Sequence, residues 1–489
     1  MNTKYLKTTL YSAAALVFGA TMGVSCTADD VVAGQNIDFD HIESIYDTKV
    51  IMQDAKTVKS MNIVDLYDSG HTASLKVNIT KAMASDLALK LEVDADFVEA
   101  YNAKNETAYK LFPTEAVEFE NNGAVSIAAG QMQTLAGVKF NATPMEKGVD
   151  YMLPVKITSS NEAVTLLENE TRCVYIVKDM MNLSDCFKGE AHPKGFLFFE
   201  VNDANPLNAL AFELENGKLL WDVVVLFAAN INYDTESGRP YVKCNPNVQF
   251  LLDNNETYIQ PLRKRGIKVL LGLLGNHDAA GLAQLSKQGA QDFAAEVARI
   301  CEAYNLDGVN YDDEYSSEPD LNNPAFDETG TAAAARLCYE TKKAMPKRMV
   351  TVYDWGLMYG TESVDGVQAD EWIDVVVPNY GDHAYPVGGM SMKKCAGIAA
   401  EFNGGFGDSL NAKNAQMILD KGYGWHMGFA PDPMKADEGK VRRNHWKVIF
   451  GRLSGAELFY GCGLKDPTIF YKKNDPKPYI YPDELPLKR

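Results

Sequence analysis

Three polar side chains alternate with other residues in the run Leu306-Asp307-Gly308-Val309-Asn310-Tyr311-Asp312-Asp313-Glu314-Tyr315. On an extended strand Asn310, Asp312 and Glu314 share one face, about 6 to 7 Å from one to the next, and Asp313 points the other way. Two carboxyls held this close cannot both ionise freely. One pKa is pushed up, and a protonated acid can persist near neutral pH. An acidic strand end is also what a solvated edge or a cation site would show. His277-Asp278 raises the question of a metal, but neither a second His at ligand spacing nor HExxH occurs, so no metal is expected and a loop hydrogen bond is the simpler role.

Such a row must sit on a strand whose end opens onto a site. Apolar runs at 196–201, 223–227 and 267–274 read as buried strands, and further candidates lie at 308–315, 348–355, 373–380, 396–402 and 424–429. Between the second and third, Val248, Leu251, Leu252, Ile259 and Leu262 fall near helical spacing; after the third, Phe293, Val297, Ile300, Cys301 and Tyr304 do so more cleanly. Eight strands with interposed helices over about 280 residues predict an α/β fold, a (β/α)8 TIM barrel with a C-terminal tail over 190–489, with the acids climbing toward the C-terminal mouth of its fourth strand. No GxGxxG follows a strand, which removes the main support for an open doubly wound sheet.

Upstream the period becomes two. Ala73, Leu75, Val77 and Ile79 alternate with polar residues, as do Leu87, Leu89, Leu91 and Val93, and Tyr151, Leu153, Val155 and Ile157. Half-buried strands separated by turns such as Asn121-Asn122-Gly123 predict a smaller all-β antiparallel sandwich over 47–180. Gly189, His192 and Pro193 break the pattern where the barrel should begin.

The 489 residues are 46% hydrophobic and 23% charged, which excludes disorder and a multi-span membrane protein. With 66 acidic against 47 basic residues the formal charge is −19, so a phosphate backbone is repelled and nucleic acid is not expected as a partner. Beyond Cys26, seven scattered cysteines form no CxxC pair and define no disulfide framework.

The acidic run resembles the Asp-x-x-Asp-x-Asp-x-Glu signature of glycoside hydrolase family 18, which holds chitinases and endo-β-N-acetylglucosaminidases, with Asn310 standing where the family usually has its first inner Asp. The resemblance extends over residues 195–462. Phe199-Glu200-Val201-Asn202 is similar to the first strand of the endoglycosidase branch, Leu274-Gly275-Asn276-His277 to its third-strand mouth, Gly422-Tyr423-Gly424 to the opening of its eighth strand, and Tyr380 in Pro378-Asn379-Tyr380-Gly381 to its sixth-strand tyrosine. Carried over, Glu314 would be the general acid, Asp312 would orient the substrate's 2-acetamido group, and Tyr380 would hydrogen-bond it. The attacking atom would be the acetamido oxygen, forming an oxazolinium with retention of configuration and no cofactor. Asn310 cannot take up a proton from Asp312, but its amide could donate to that carboxylate. Trp355, Trp425 and Phe429 are candidate sugar platforms, with barrel packing as the alternative for the last two, and Asn276, His277 and Asn379 could read sugar hydroxyls. The implied partner is an N-acetylglucosamine-containing glycan or glycoprotein. A chitinase, or a glycan-binding lipoprotein that has lost turnover, would share these features.

Residues 1–25 read as an export signal: Lys4 and Lys7 precede an uncharged run from Thr8 to Ser25 that stops at Cys26. Gly23 and Ser25 before the cysteine resemble a bacterial lipobox, which would make Cys26 the lipidated first residue. Asp29-Asp30 resembles the acidic signal that sends lipoproteins of Bacteroides-type bacteria to the outer cell surface. Residues 26–46 then read as a tether, and the domain after them resembles the β-sandwich that precedes glycan-degrading barrels in such lipoproteins.

Overall fold

The computed structural model describes residues 47–146, 149–181, 183–358, 363–403, 407–432 and 446–480. Cys26, the signal and the tether lie outside them. The chain divides into two compact units, the first ending at Leu183 and the second beginning at Ser184, a few residues before the break read from Gly189 to Pro193.

The first unit is a two-sheet sandwich. One sheet has the order Val164–Thr165, Thr48–Asp54, His71–Ile79, Gln133–Phe140, Val117–Phe119. The other runs Met61–Leu66, Arg172–Asp179, Tyr151–Thr158, Leu87–Val93, Ala124–Ile127. Alternation places Val50, Leu75, Val77, Phe140, Leu153 and Val155 between the sheets. Two features depart from the sequence reading. The pairings are mixed, since Met61–Leu66 runs parallel to Arg172–Asp179 and Thr48–Asp54 parallel to Val164–Thr165. The two central strands of the second sheet lose their alternation because a helix, Asp96–Asn105, lies over their outer face and buries Val98 against Met152, Val174 and Ile176.

The second unit is the barrel. Its parallel strands are β1 (Lys194–Glu200), β2 (Trp221–Asp234), β3 (Lys268–Leu274), β4 (Gly308–Asp312), β5 (Met349–Asp354), β6 (Val375–Pro378), β7 (Ala396–Glu401) and β8 (Trp425–Phe429). The sheet runs β6-β5-β4-β3-β2-β1-β8-β7, and a Val376–Cys395 bridge brings its two ends together. The helical layer is thinner than the eight expected helices. Among the described residues the main ones are α1 (Pro246–Asp253), α2 (Lys287–Ala303), α3 (Thr331–Ala344) and α4 (Ala412–Lys421). Only 3₁₀ turns, Pro206–Ala211 and Met392–Lys394, follow β1 and β6 as helical connections.

Each barrel strand is buried on both faces, as a covered parallel sheet requires. In β4, Val309 and Tyr311 face the helices, where the Tyr311 hydroxyl is 2.7 Å from Thr341 Oγ1 of α3. Asn310 and Asp312 take the alternate positions. Gly308 opens the strand at φ +152°, and a Cβ there would lie 2.0 Å from Met349 O, so no other residue fits. The interior is filled by Phe196, Phe198, Val225, Leu270, Tyr353, Val375 and Met427. β2 outruns its neighbours: Asn230 is level with Leu274 at the end of β3, and the hairpin with Arg239–Lys243 carries Asn232 past that end. The seven cysteines in the described residues are free thiols.

Candidate active site

A cavity of about 540 Å³ opens over the C-terminal ends of the strands, the position at which barrels of this architecture place their chemistry. Asp312 and Glu314 line it together with Glu200, Asn276, His277, Trp355, Asn379, Tyr380 and Phe429.

Glu314 reaches the cavity by a route that alternation does not describe. β4 ends at Asp312; Glu314 N donates back to Asp312 O at 3.1 Å, and Tyr315 has φ +59°. The turn is fixed from across the cavity mouth: Gly275 N donates to Glu314 O (3.0 Å) and His277 N to Tyr315 O (2.6 Å). A Cβ at position 275 would stand 2.3 Å from Glu314 O, which explains the glycine between β3 and Asn276. Asp313 turns away, as its place in the sequence requires, and accepts from Leu357 N at 3.1 Å.

Burial pushes the Asp312 carboxyl well above the usual carboxylate range, and the charges of Glu314 and Asp313 push it further. Glu314 is raised for the same reasons, burial first and then Asp313. Among the described residues Asp312 Oδ1 is buried with no hydrogen-bond partner, as is Asn310 Oδ1. The expectation that the Asn310 amide serves Asp312 is corrected: Asn310 Nδ2 donates to Thr351 Oγ1 (3.0 Å) on β5, and Thr351 in turn donates to Val309 O (2.9 Å). Asn310 therefore ties β4 to β5. Asp307, at the foot of the same strand, holds a bidentate pair with Arg263 (2.7 and 3.0 Å) that brings its carboxyl below the ordinary range against the opposing effect of burial.

On the opposite wall the Tyr353 hydroxyl donates to Asn379 Oδ1 at 2.6 Å, and Tyr380 N donates to the same oxygen at 2.8 Å, which fixes the Asn379 amide beside Tyr380. Burial raises the Tyr380 hydroxyl far enough to keep it protonated. Phe429 packs against Tyr380, Phe198 and Phe227 with centroids 5.6 to 6.2 Å apart, and Trp355 stands at the rim, 45% exposed. Trp425 is the residue to be corrected. It opens β8 at the opposite end of the strand, edge-on to Phe196 (6.1 Å) and beneath Lys194, and it does not line the cavity.

His277 sits at φ +58° with its ring against Tyr315. Its neighbour Asp278 spends both oxygens on three protein donors, a loop hydrogen-bonding arrangement. Among the described residues no group of three or more His, Cys, Asp or Glu is placed to hold a metal ion. Sequence reasoning left Asn230, Tyr315 and Tyr353 out of the candidate site, although all three line the cavity. Tyr353 could have been found, since it precedes Trp355 by two in the same period-two run.

A barrel with two neighbouring acids at the mouth of its fourth strand, a tyrosine beyond its sixth and aromatic walls defines a glycoside hydrolase. Comparison with known proteins gives the family. Endo-beta-N-acetylglucosaminidase F1 of Elizabethkingia meningoseptica is 45% identical over 276 residues, which cover 55% of this chain and 81% of the relative. Endo-beta-N-acetylglucosaminidase of Flavobacterium sp. (strain SK1022) is 31% identical over 264 residues, 53% of this chain and 81% of its own. The crystal structure of EndoBT-3987 of Bacteroides thetaiotamicron with Man5GlcNAc product shares 54% identity at a TM-score of 0.59, covering 89% of this chain and all of that one. A second structure of the same enzyme, with Man9GlcNAc2Asn substrate, gives 53% and 0.59 over the same shares. A family model described as an N-terminal domain matches residues 46–164, within the first unit. This chain belongs to the endo-β-N-acetylglucosaminidase family.

Proposed function

We propose that this enzyme is a retaining endo-β-N-acetylglucosaminidase that cuts the β-1,4 bond of the GlcNAc-GlcNAc core of N-glycans with the substrate's own acetamido group as nucleophile. The observation that carries the reading is the elevated acid pair, Asp312 and Glu314, in one cavity with Tyr380. Protonated Glu314 gives its proton to the departing glycosidic oxygen as the acetamido oxygen closes on C1, forming an oxazolinium. Asp312 accepts the acetamido N–H and stabilises the positive charge, and Tyr380 orients the acetamido oxygen. Water then attacks C1 from the face the leaving group vacated, giving its proton to Glu314, and the configuration is retained. The likeness to an enzyme solved with a high-mannose substrate and product supports an N-glycan over chitin.

Mass spectrometry of products from a panel of defined glycoproteins, chitin oligomers, cellulose and mannan tests this. N-glycoproteins should keep one GlcNAc on asparagine and release the rest, while cellulose and mannan, which lack the nucleophile, stay intact. Cleavage of cellulose or mannan would end the substrate-assisted reading, and cleavage of chitin alone would make the enzyme a chitinase.

We further propose that the enzyme is an exported lipoprotein of the outer membrane, displayed at the cell surface through Cys26. The basic residues, apolar run and small residues ahead of Cys26 support it. Metabolic labelling with a fatty acid should mark the wild type, and Cys26→Ala should release unlabelled protein from the membrane fraction. A soluble, unlabelled wild type would refute the anchor.

A further inference from the structure

Asn202, Asn230, Asn245, Asn276 and Asn379 line the cavity, and an amide reads a sugar only when its orientation is fixed, because its two ends have opposite polarity. Asn276 lines the cavity, and its Nδ2 donates to Asn232 Oδ1 at 3.0 Å. Asn232, buried on the extended part of β2, donates its own Nδ2 to Asp278 Oδ2 at 2.7 Å. Asp278 Oδ2 also accepts from Tyr233 N (3.0 Å), and its Oδ1 accepts from Ala280 N (2.9 Å).

The direction of this chain is dictated by Asp278. Two fixed backbone N–H groups approach it from different sides, so both of its atoms must be oxygens; an asparagine in its place would set an N–H against Tyr233 N or Ala280 N. A carboxylate only accepts, so Asn232 must turn its Nδ2 toward Asp278 and its Oδ1 toward Asn276. Asn276 must then donate through Nδ2, which leaves Oδ1, without a protein partner among the described residues, as the acceptor it can offer the cavity. On the other wall Asn379 is set the opposite way: its Oδ1 is taken by Tyr353 and Tyr380 N, so Nδ2 is the end without a partner among the described residues.

We propose that Asp278, through Asn232, is a positioning residue that holds Asn276 as a hydrogen-bond acceptor for a hydroxyl or amide N–H of the bound glycan. The assignment rests on the proposed glycan hydrolysis. It makes Asp278 and Asn232 determinants of substrate affinity although they touch the glycan only through another residue.

A double-mutant cycle on the full-length enzyme tests it, with a glycopeptide that the wild type cleaves. Asp278→Ala and Asn232→Ala should each raise KM by about tenfold while kcat stays within about twofold, because a binding contact is lost and the acid pair is untouched. Asn232→Ala leaves both backbone bonds of Asp278 in place, so it reads the relay even if Asp278→Ala unfolds the loop. In an Asn276→Ala background neither substitution should raise KM further. Additive effects in the cycle, or an unchanged KM in Asn232→Ala, would overturn the relay. Failure of the wild type to cleave any N-glycan would instead overturn the function on which it rests.

Discussion

Glu314→Gln should lose turnover by about 10²- to 10⁴-fold while keeping the fold and the affinity for glycan. The carboxyl of Glu314 makes no hydrogen bond to the protein among the described residues. Its place in the turn is held by its backbone, through Gly275 N, so the isosteric amide meets no structural loss. What disappears is the transferable proton. Burial and Asp313 raise the Glu314 pKa, so the wild type keeps its acid form to higher pH than an exposed glutamate would, and its rate should fall as pH climbs through that raised value. Single-turnover kinetics on a defined glycopeptide, with calorimetric titration of the same ligand, separate the two effects. Near-wild-type turnover in Glu314→Gln would remove this residue as the proton donor.

Asp312→Asn should lower kcat by about 10²-fold or more and at the same time stabilise the protein. Asp312 is almost wholly buried, one of its oxygens has no partner among the described residues, and its pKa is raised by burial and by two neighbouring acids. The sign follows from proton binding. Between the unfolded pKa near 3.9 and the higher folded value, the native state holds a proton that the unfolded chain has released, so stability falls as pH rises through that window. Asparagine has no such titration. The variant should therefore gain about 1 kcal/mol or more at pH 7.5 and little at pH 3.5, read from urea melts at the two values. A destabilised variant would mean that the aspartate is held by contacts the cavity does not show, and unchanged turnover would take Asp312 out of the reaction.

Alternation put Asp312 and Glu314 together, and both do line the cavity, but the alternation itself holds only as far as Asp312. Period two is a property of extended chain, and it carried Asn310 and Asp312 to the inner positions of β4. It could not carry Glu314, which enters the cavity through a turn whose geometry depends on Gly275, 39 residues earlier. The destination of the Asn310 amide was hidden for a related reason. Its partner, Thr351, lies on the next strand, and the register of two parallel strands is set by packing and not by local sequence. Trp425 was misplaced although its position is legible: it opens its strand directly after Gly424, and in a parallel barrel only the C-terminal strand ends face the cavity mouth. In the sandwich the alternating runs were plain, but the parallel pairing of Met61–Leu66 with Arg172–Asp179 joins segments more than a hundred residues apart, beyond the reach of any periodicity.

The closure of the barrel has a consequence for its local stability. β1 and β8, from distant parts of the sequence, are zipped over five residue pairs, whereas the consecutive strands β6 and β7 meet at the single Val376–Cys395 bridge, with no α-helix between them. This seam is held less by a backbone ladder than by apolar burial, since every residue of β6 and β7 is buried and Val375, Val377, Ala396 and Ala399 share one core cluster. Tyr380 follows β6 by two residues, while Asp312 closes β4, two strands further into the sheet, and Glu314 lies in the turn just after it. The tyrosine wall of the cavity is therefore positioned opposite the acids by side-chain packing across the seam, where the acids' own strand is positioned by continuous ladders on both sides.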